Sequence, residues 1–354
     1  MRVAIEAGPL AMATGGLARY TAELSSALAR NFPEDEFYLV SDQPFRMPEG
    51  APANLKRGGG PRNSIERRWW LWGIAREMKR IRADVVHGPD FSVPYLKQRP
   101  SVLTLHDLSP WMDERWHHAA DRVKRRTPVL LELGLATMVV TPSEVVRKQA
   151  IEKFRLRPDR VVAVHEAAAS WLKAGGQAPE SQGSAPYFLF VGTLEPRKNI
   201  PALLEAWRQV RRRHPIDLVL AGRRREDFAP LAEEPGLHVL GEVSDDRLPG
   251  LYSGALAFVY PSLYEGFGLP VLEAMQCGAA VIASPAVAEV AGEAAVYAGD
   301  ARELAHAMTQ AMQNPEWLAE MRRRSLAHAS QFSWDATARK TYEVYLEARK
   351  RFGQ

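Results

Sequence analysis

Short apolar, β-branched runs recur along the chain, separated by longer stretches whose apolar positions fall at helical spacing. In the first half the runs are VAIEA, FYLVS, DVVH, VLTLH, MVVT and VVAV, ending at residue 164. The second half carries YFLFVG, DLVLA, LHVL, LAFVY and AVIAS. Strands that are apolar at every position are covered on both faces, so with helices between them they predict parallel sheets. KAGGQAPESQGSAP, residues 173–186, has no periodicity and predicts a linker. The expected organisation is a first domain over 1–172, a second over 187–331, and a terminal segment 332–354. FSWDATARKTYEVYLEARKRF in that segment reads as a helix capped by Ser333 or Asp335, with no strand after it. Two doubly wound α/β domains joined in this way would leave a cleft into which the carboxyl ends of both sheets can point.

Length and composition agree with this division. The chain has 354 residues, more than one core usually organises, and is 46% hydrophobic and 25% charged. No run of about eighteen apolar residues appears, so no membrane span is expected. The start, MRVAIEAGPL, reads as a first strand rather than a signal peptide. Cys277 is the only cysteine, which excludes an intrachain disulfide and fits a reducing cytoplasm. Its setting, EAMQCGAAVIAS, predicts a core residue. A net charge of +4 is too small to indicate nucleic acid, so the distribution of charge matters more than the total. That distribution is uneven. SIERRWWLWGIAREMKRIRA, residues 64–83, sets six basic residues and Trp69, Trp70 and Trp72 against two glutamates. It is either an amphipathic helix that buries its tryptophans or a surface for anionic lipid. DRVKRRTPVLL, residues 121–131, repeats the mixture more weakly.

Several loops after strands carry residues suited to ligand chemistry. In GTLEPRKNI, residues 192–200, Arg197 and Lys198 place a bidentate donor beside a mobile point charge, a pairing suited to phosphate unless both are simply solvated. Asn199 is a candidate helix cap there, and Pro201 suits the first turn. YEGFGLPVLEAM, residues 264–275, holds Glu265 and Glu273 eight positions apart. On an unbroken helix that spacing would separate the acids by about 12 Å and about 80°. The Gly266–Gly268 loop breaks the relation, so the two carboxylates can bracket one elongated ligand and accept paired hydroxyls. The alternative is a capping acid and a solvated helix acid. TGGLARY, residues 14–20, offers backbone amides beside a helix start but is not a dinucleotide fingerprint. LTLHDL places His106 and Asp107 at a strand's carboxyl end, and VVHGPDF places His87 and Asp90 at the equivalent point of the preceding strand. Each histidine is either a proton-handling group or a core residue. The sequence has no D-x-D pair, P-loop or G-x-S-x-G. Adjacent His117 and His118 would point about 100° apart on a helix, poor geometry for a shared metal.

Taken in order, TGGLARY, LTLHDL, TPSEVVRKQA, FLFVGTLEPRKNI, YPSLYEGFGLPVLEAMQCGAAVIAS and FSWDATARKTYEVY resemble the family 4 retaining glycosyltransferases (glycosyl transferases group 1). VVHGPDFSVP and LTLHDLSPW are closest in character to bacterial mannosyltransferases of polysaccharide or O-antigen assembly. The resemblance implies a GT-B fold, with two Rossmann-like domains facing a cleft and a terminal helix returning to the first. It implies that Arg197 and Lys198 hold a donor diphosphate, Glu273 the ribose, and Glu265 with the amides of Phe267, Gly268 and Leu269 the transferred sugar. Gly16 would approach the diphosphate from the first domain, and His106 would sit over the sugar. Val243, near GRRR and GEVSDD, would meet the base, and His87, Asp90 and Asp107 are acceptor-side candidates. Retention of configuration without a metal cofactor follows from the same resemblance. The implied donor is a nucleotide sugar, GDP-mannose first, and the acceptor a glycan or lipid-linked glycan. The implied location is cytoplasmic, at the inner face of the membrane through the tryptophan stretch. A GT-B-like epimerase or phosphorylase shares the architecture, as does a relative that binds nucleotide sugar without catalysis. Two departures stand out: VHEAAA at residues 164–169, where relatives often have P-N-G, and Ala288 where they commonly have Pro. Neither is expected to touch the catalytic set.

Overall fold

Among the described residues every strand pairing is parallel, and the strands form two sheets, one in each of two units. The computed structural model describes residues 1–12, 15–116, 120–175 and 185–353. Most of the expected linker, Thr14 of TGGLARY, and His117 and His118 lie outside the described residues.

The first unit comprises residues 1–167 and 333–354. Its strands are β1 (Arg2–Glu6), β2 (Glu36–Val40), β3 (Leu55–Arg57), β4 (Val85–Gly88), β5 (Ser101–Thr104), β6 (Met138–Thr141) and β7 (Val161–Ala163). They lie in the order β3-β2-β1-β4-β5-β6-β7, so the winding reverses between β1 and β4. Helices α1 (Gly16–Asn31), α2 (Ile74–Ile81), α3 (Asp121–Glu132) and α4 (Glu144–Phe154) connect them. The second unit, residues 168–332, has β8 (Tyr187–Val191), β9 (Asp217–Ala221), β10 (Leu237–Gly241), β11 (Ala257–Tyr260), β12 (Val281–Ala283) and β13 (Ala295–Tyr297). Its order, β10-β9-β8-β11-β12-β13, reverses between β8 and β11. The helices are α5 (Ile200–Arg211), α6 (Leu248–Gly254), α7 (Leu269–Gln276), α8 (Ala288–Ala291), α9 (Ala301–Gln313) and α10 (Pro315–Ala329). The protein thus has the GT-B class of fold, two Rossmann-like parallel α/β units.

Each apolar run in the sequence forms a strand, and two further strands appear at sheet edges. β3 buries only Leu55, and in β13 burial falls off from Ala295 to an exposed Tyr297. A half-covered edge strand needs no continuous apolar run, so neither carried the buried-strand pattern. Cys277 is buried in the second core, where loss of solvation pushes its thiol up to about 12.

The terminal helix α11 (Trp334–Arg351) belongs to the first unit. Its buried positions, Trp334, Thr337, Ala338, Thr341, Val344, Tyr345 and Ala348, recur at helical spacing and make one apolar stripe. Ser333 is the cap, accepting from the Ala336 amide at 3.2 Å, while Asp335 accepts instead from the Asn31 side chain at 2.8 Å. Deep in the unit, Tyr345 Oη lies 2.7 Å from His87 Nδ1, and His87 Nε2 lies 2.8 Å from Thr104 Oγ1. Thr104 in turn lies 3.1 Å from Tyr20 Oη, so one polar chain ties α11 to β4, β5 and α1. His87 is fully buried with both ring nitrogens engaged. As an acceptor-side candidate it is therefore corrected: it is a core histidine.

Burial first, and then the charge of His106, depress the His87 pKa to about 3. A histidine depressed in the folded state leaves the fold unaffected above its ordinary value and destabilises it as pH falls below. His87 should therefore contribute a stability loss of ~1.4 kcal/mol per pH unit between about pH 6.5 and pH 3. Denaturant titrations across that window should show a shallower acid dependence for His87→Gln than for wild type. Parallel pH curves would show that His87 is not the titrating group.

Candidate functional site

In the second unit the site grows from the loops that leave β8, β9 and β11. Gly222 lies at φ +139°, and a Cβ there would sit 2.0 Å from the Gly192 carbonyl oxygen. Only glycine lets the loops after β8 and β9 cross this closely. After Gly192 the chain makes one tight turn over Pro196–Lys198. Asn199 then takes a left-handed conformation at φ 53°, and its side chain does not cap α5, contrary to the expectation. The Leu263 amide donates 2.8 Å to the Arg197 carbonyl, fastening the loop after β11 to the loop after β8.

That bond brings the basic pair onto Glu265. Arg197 Nη1 donates 3.2 Å to Glu265 Oε2 and 3.0 Å to the Tyr264 carbonyl. Lys198 Nζ lies 2.6 Å from Glu265 Oε1 and 2.7 Å from Tyr260 Oη. Glu195 accepts from Arg197 Nη2 at 2.9 Å and from Arg225 Nη1 at 3.2 Å. The ammonium of Lys198, at 6% exposure, and the carboxylates of Glu265 and Glu195 are all buried. Burial alone would raise the Glu265 pKa, but the charges of Lys198 and Arg197 and the bonds to its oxygens hold it at about 2. Three cations, Arg197, Lys198 and Arg225, meet the carboxylates of Glu265 and Glu195, and Arg225 also pairs with Asp227, so the charges of the cluster balance. The two basic residues are not solvated surface cations, and Glu265 is not a capping acid.

Glu273 occupies the second turn of α7. Gly268, at φ +105°, begins that helix, and a Cβ on it would meet Val287 Cγ1 at 2.8 Å. Pro270 stands in the first turn. Glu273 is buried, and Tyr252 Oη donates 3.0 Å to its Oε2, so it is not a solvated helix acid either. Phe267 packs edge-on against Phe332 with ring centroids 6.1 Å apart, while Leu269 and Val243 are partly buried against the same core. Glu195, Tyr252 and Tyr260 had been given no role in the sequence. Glu195 lies inside the GTLEPRKNI motif, and Tyr260 ends the LAFVY run.

In the first unit His106 follows β5. Its Nε2 is 2.7 Å from the Pro89 carbonyl, its Nδ1 is 3.3 Å from Glu166 Oε1, and Tyr20 packs edge-on at 4.7 Å. Burial favours the neutral ring, but the hydrogen bond and charge of Glu166, with Pro89 and Asp90, outweigh it and raise the His106 pKa. The expectation that the VHEAAA departure lies apart from the catalytic candidates is therefore corrected, because Glu166 is the carboxylate that pairs with His106 and raises its pKa. Asp90 is half-buried, and burial raises its pKa. Asp107 accepts from the Ser109 amide and hydroxyl at 2.9 and 2.6 Å, closing a local turn. Gly15, at φ +121°, precedes Gly16 at the start of α1, and a Cβ on Gly16 would meet nothing within 4 Å. The tryptophan stretch divides. Trp69–Gly73 forms one wide π-type turn before α2; Trp69 is buried, Trp70 partly so and Trp72 exposed. Buried Glu66 pairs with Arg80 and Arg76, so part of the basic face is neutralised. Trp69 is accordingly corrected as a lipid contact.

Residues 185–314 match the family model described as glycosyl transferases group 1, and residues 14–168 match that of glycosyltransferase family 4. The O-antigen chain mannosyltransferase B of Escherichia coli is 35% identical over 289 residues, 74% of each chain. The serotype-specific mannosyltransferase WbdA of Escherichia coli is 30% identical over 269 residues, 69% of this chain and 33% of that longer protein. Among solved structures, Anabaena HepE in complex with UDP and glucose has a TM-score of 0.70 at 17% identity, covering 98% of this chain and 100% of HepE. WaaG, a glycosyltransferase involved in lipopolysaccharide biosynthesis, has a TM-score of 0.69 at 16% identity over the whole of both chains. These two likenesses bear on the fold alone.

Replacing Glu166 by Gln removes the strongest influence that raises the His106 pKa and leaves burial opposed only by the Pro89 carbonyl and Asp90. Imidazole titration by NMR should show that pKa falling in Glu166→Gln. An unchanged titration would show that Glu166 does not set it.

Proposed function

The chain belongs to the family 4, group 1 glycosyltransferases, and from that premise we propose that it moves a hexose from a nucleoside-diphosphate donor to a growing surface glycan. GDP-mannose is the proposed donor and a glycan or lipid-linked glycan the acceptor. The similarity to O-antigen and serotype-specific mannosyltransferases supports both choices. The observation that carries the reading is the buried cluster that fixes the cations Arg197 and Lys198 side by side on Glu265. A departing nucleoside diphosphate gains charge as the glycosidic bond breaks, and fixed cations in a poorly solvated site stabilise that charge without reorganising. Glu265 and Glu195 keep the side chains of Arg197 and Lys198 in place beforehand. In this reading Arg197 and Lys198 take the diphosphate, Glu273 the ribose hydroxyls, and Glu265 with the Phe267–Leu269 amides the sugar. The same cations do the work a metal would do, so the transfer is proposed to need none. Retention of configuration is proposed with the family, the leaving phosphate assisting the incoming hydroxyl. His106, paired with Glu166, is proposed to position that hydroxyl or relay its proton.

Arg197→Ala should lower kcat by about 10²–10³, the loss expected for one donor to developing charge, with little change in KM. Glu273→Ala should chiefly weaken binding of the nucleoside diphosphate. Wild-type turnover in both variants, measured with radiolabelled GDP-mannose, would place the chemistry elsewhere.

Peripheral attachment to an anionic membrane is a second part of the proposal. Ile65 and Trp72 are 53% and 39% exposed and flank exposed Arg67 and Arg68, a mixture that suits a lipid interface. Flotation with anionic vesicles should weaken in a variant with Arg67 and Arg68 changed to Gln. Equal flotation would remove the electrostatic basis.

A further inference from the structure

The first sheet has its own reversal point, between β1 and β4, and a cavity of about 690 Å³ opens within the first unit there. Open parallel sheets bind ligands where the strand order reverses, because adjacent loops diverge at that point. Three carboxyl groups line this cavity: Glu6 at the end of β1, Asp90 just past β4, and Asp42 just past β2. Trp69 and Trp70 form part of the wall, and Arg122 and Arg126 of α3 line it as well. The Arg126 guanidinium lies 5.9 Å from the Trp70 ring centre, which places the cation beside the aromatic face.

One feature marks the cavity as more than a gap in packing, a carboxyl group set in its wall beside two others. Glu6 is 4% exposed and takes a 3.0 Å bond from the Gly8 amide. Burial pushes Glu6 up to about 8; the Gly8 amide opposes the shift, and Asp42 and Asp90 add to it. Near neutral pH it is therefore a carboxylic acid, able to donate a hydrogen bond as well as accept one.

We infer that this cavity binds a pyranose joined to a phosphate or diphosphate, with ring hydroxyls on Glu6, Asp42 and Asp90, an apolar ring face on Trp70, and the anion beside Arg122 and Arg126. Four arginines, Arg67, Arg68, Arg122 and Arg126, line the cavity with the two aspartates, which favours an anion, and the carboxyl groups and Trp70 add partners for hydroxyls and a ring face that a plain anion lacks. A sugar phosphate meets both halves of the lining. Its use as the place of the acceptor rests on the transfer reading; its capacity to bind does not.

Calorimetric titration of the intact protein with α-mannose 1-phosphate, mannose and inorganic phosphate in separate arms tests this. The sugar phosphate should bind at least about tenfold more tightly than either fragment, as expected when charge-assisted bonds add to stacking. Asp42→Asn and Arg122→Gln, at exposed positions, should each weaken it by about tenfold and leave the thermal midpoint and GDP binding unchanged. Glu6→Gln should keep the binding, and Glu6→Ala should lose it. Wild-type affinity in Asp42→Asn and Arg122→Gln would overturn the inference, as would no binding of the sugar phosphate. Failure of transfer assays with this binding intact would count against the transfer reading alone.

Discussion

Both units depend on one constraint of parallel sheets: where strand order reverses, the loops at the carboxyl ends part and leave a crevice. β1 and β4 flank one such point, β8 and β11 the other. A crevice between diverging loops strips water from whatever side chains line it, so charge there must be balanced by the protein itself. In the second unit the balance is explicit. Glu265 takes Lys198 on one oxygen and Arg197 on the other, and Glu195 is shared by Arg197 and Arg225. Each of the two carboxylates takes two cations, and Arg197 bridges both, so the side chains form one connected network.

That geometry ties the fold to the chemistry. The Gly192–Gly222 crossing and the bond from the Leu263 amide to the Arg197 carbonyl set the loops after β8, β9 and β11 side by side. Across those loops Arg197 and Glu265, 68 positions apart, share a bond. The fixed pair of cations, Arg197 and Lys198, is held by contacts among three loops rather than by any one motif. It suits a ligand that carries, or develops, negative charge.

The strands inside each sheet were legible because a strand buried on both faces must be apolar throughout. Edge strands β3 and β13 were not, since a half-covered strand carries a weaker pattern. Glu265, Glu273, Arg197 and Lys198 could be picked out as a set, but not the bond between the basic pair and Glu265, which depends on the loop crossing. Glu166 was harder still. It stood out as a departure from a familiar P-N-G, yet its partner His106 lies sixty positions earlier on another strand's loop. His87 shows the opposite failure, for its place at a strand end matched a ligand-facing residue. The partner that buries it, Tyr345, comes from a helix 258 positions away.

Glu6 and Glu265 show how local charge decides what a buried acid is. Each lies at or just past the end of a strand that flanks its sheet's reversal, and each is less than a tenth exposed. Burial disfavours the charged form equally in kind for both. Glu265 has two cations in direct contact and is held at about 2, fully ionised. Glu6 has one backbone amide and neighbouring aspartates, and it is pushed up to about 8. The first acid is fixed as an anion that positions cations. The second is a neutral group that can donate to one hydroxyl and accept from another. One residue type at corresponding places in two similar sheets thus yields two different chemistries, and counter-charge within hydrogen-bonding distance is the difference between them.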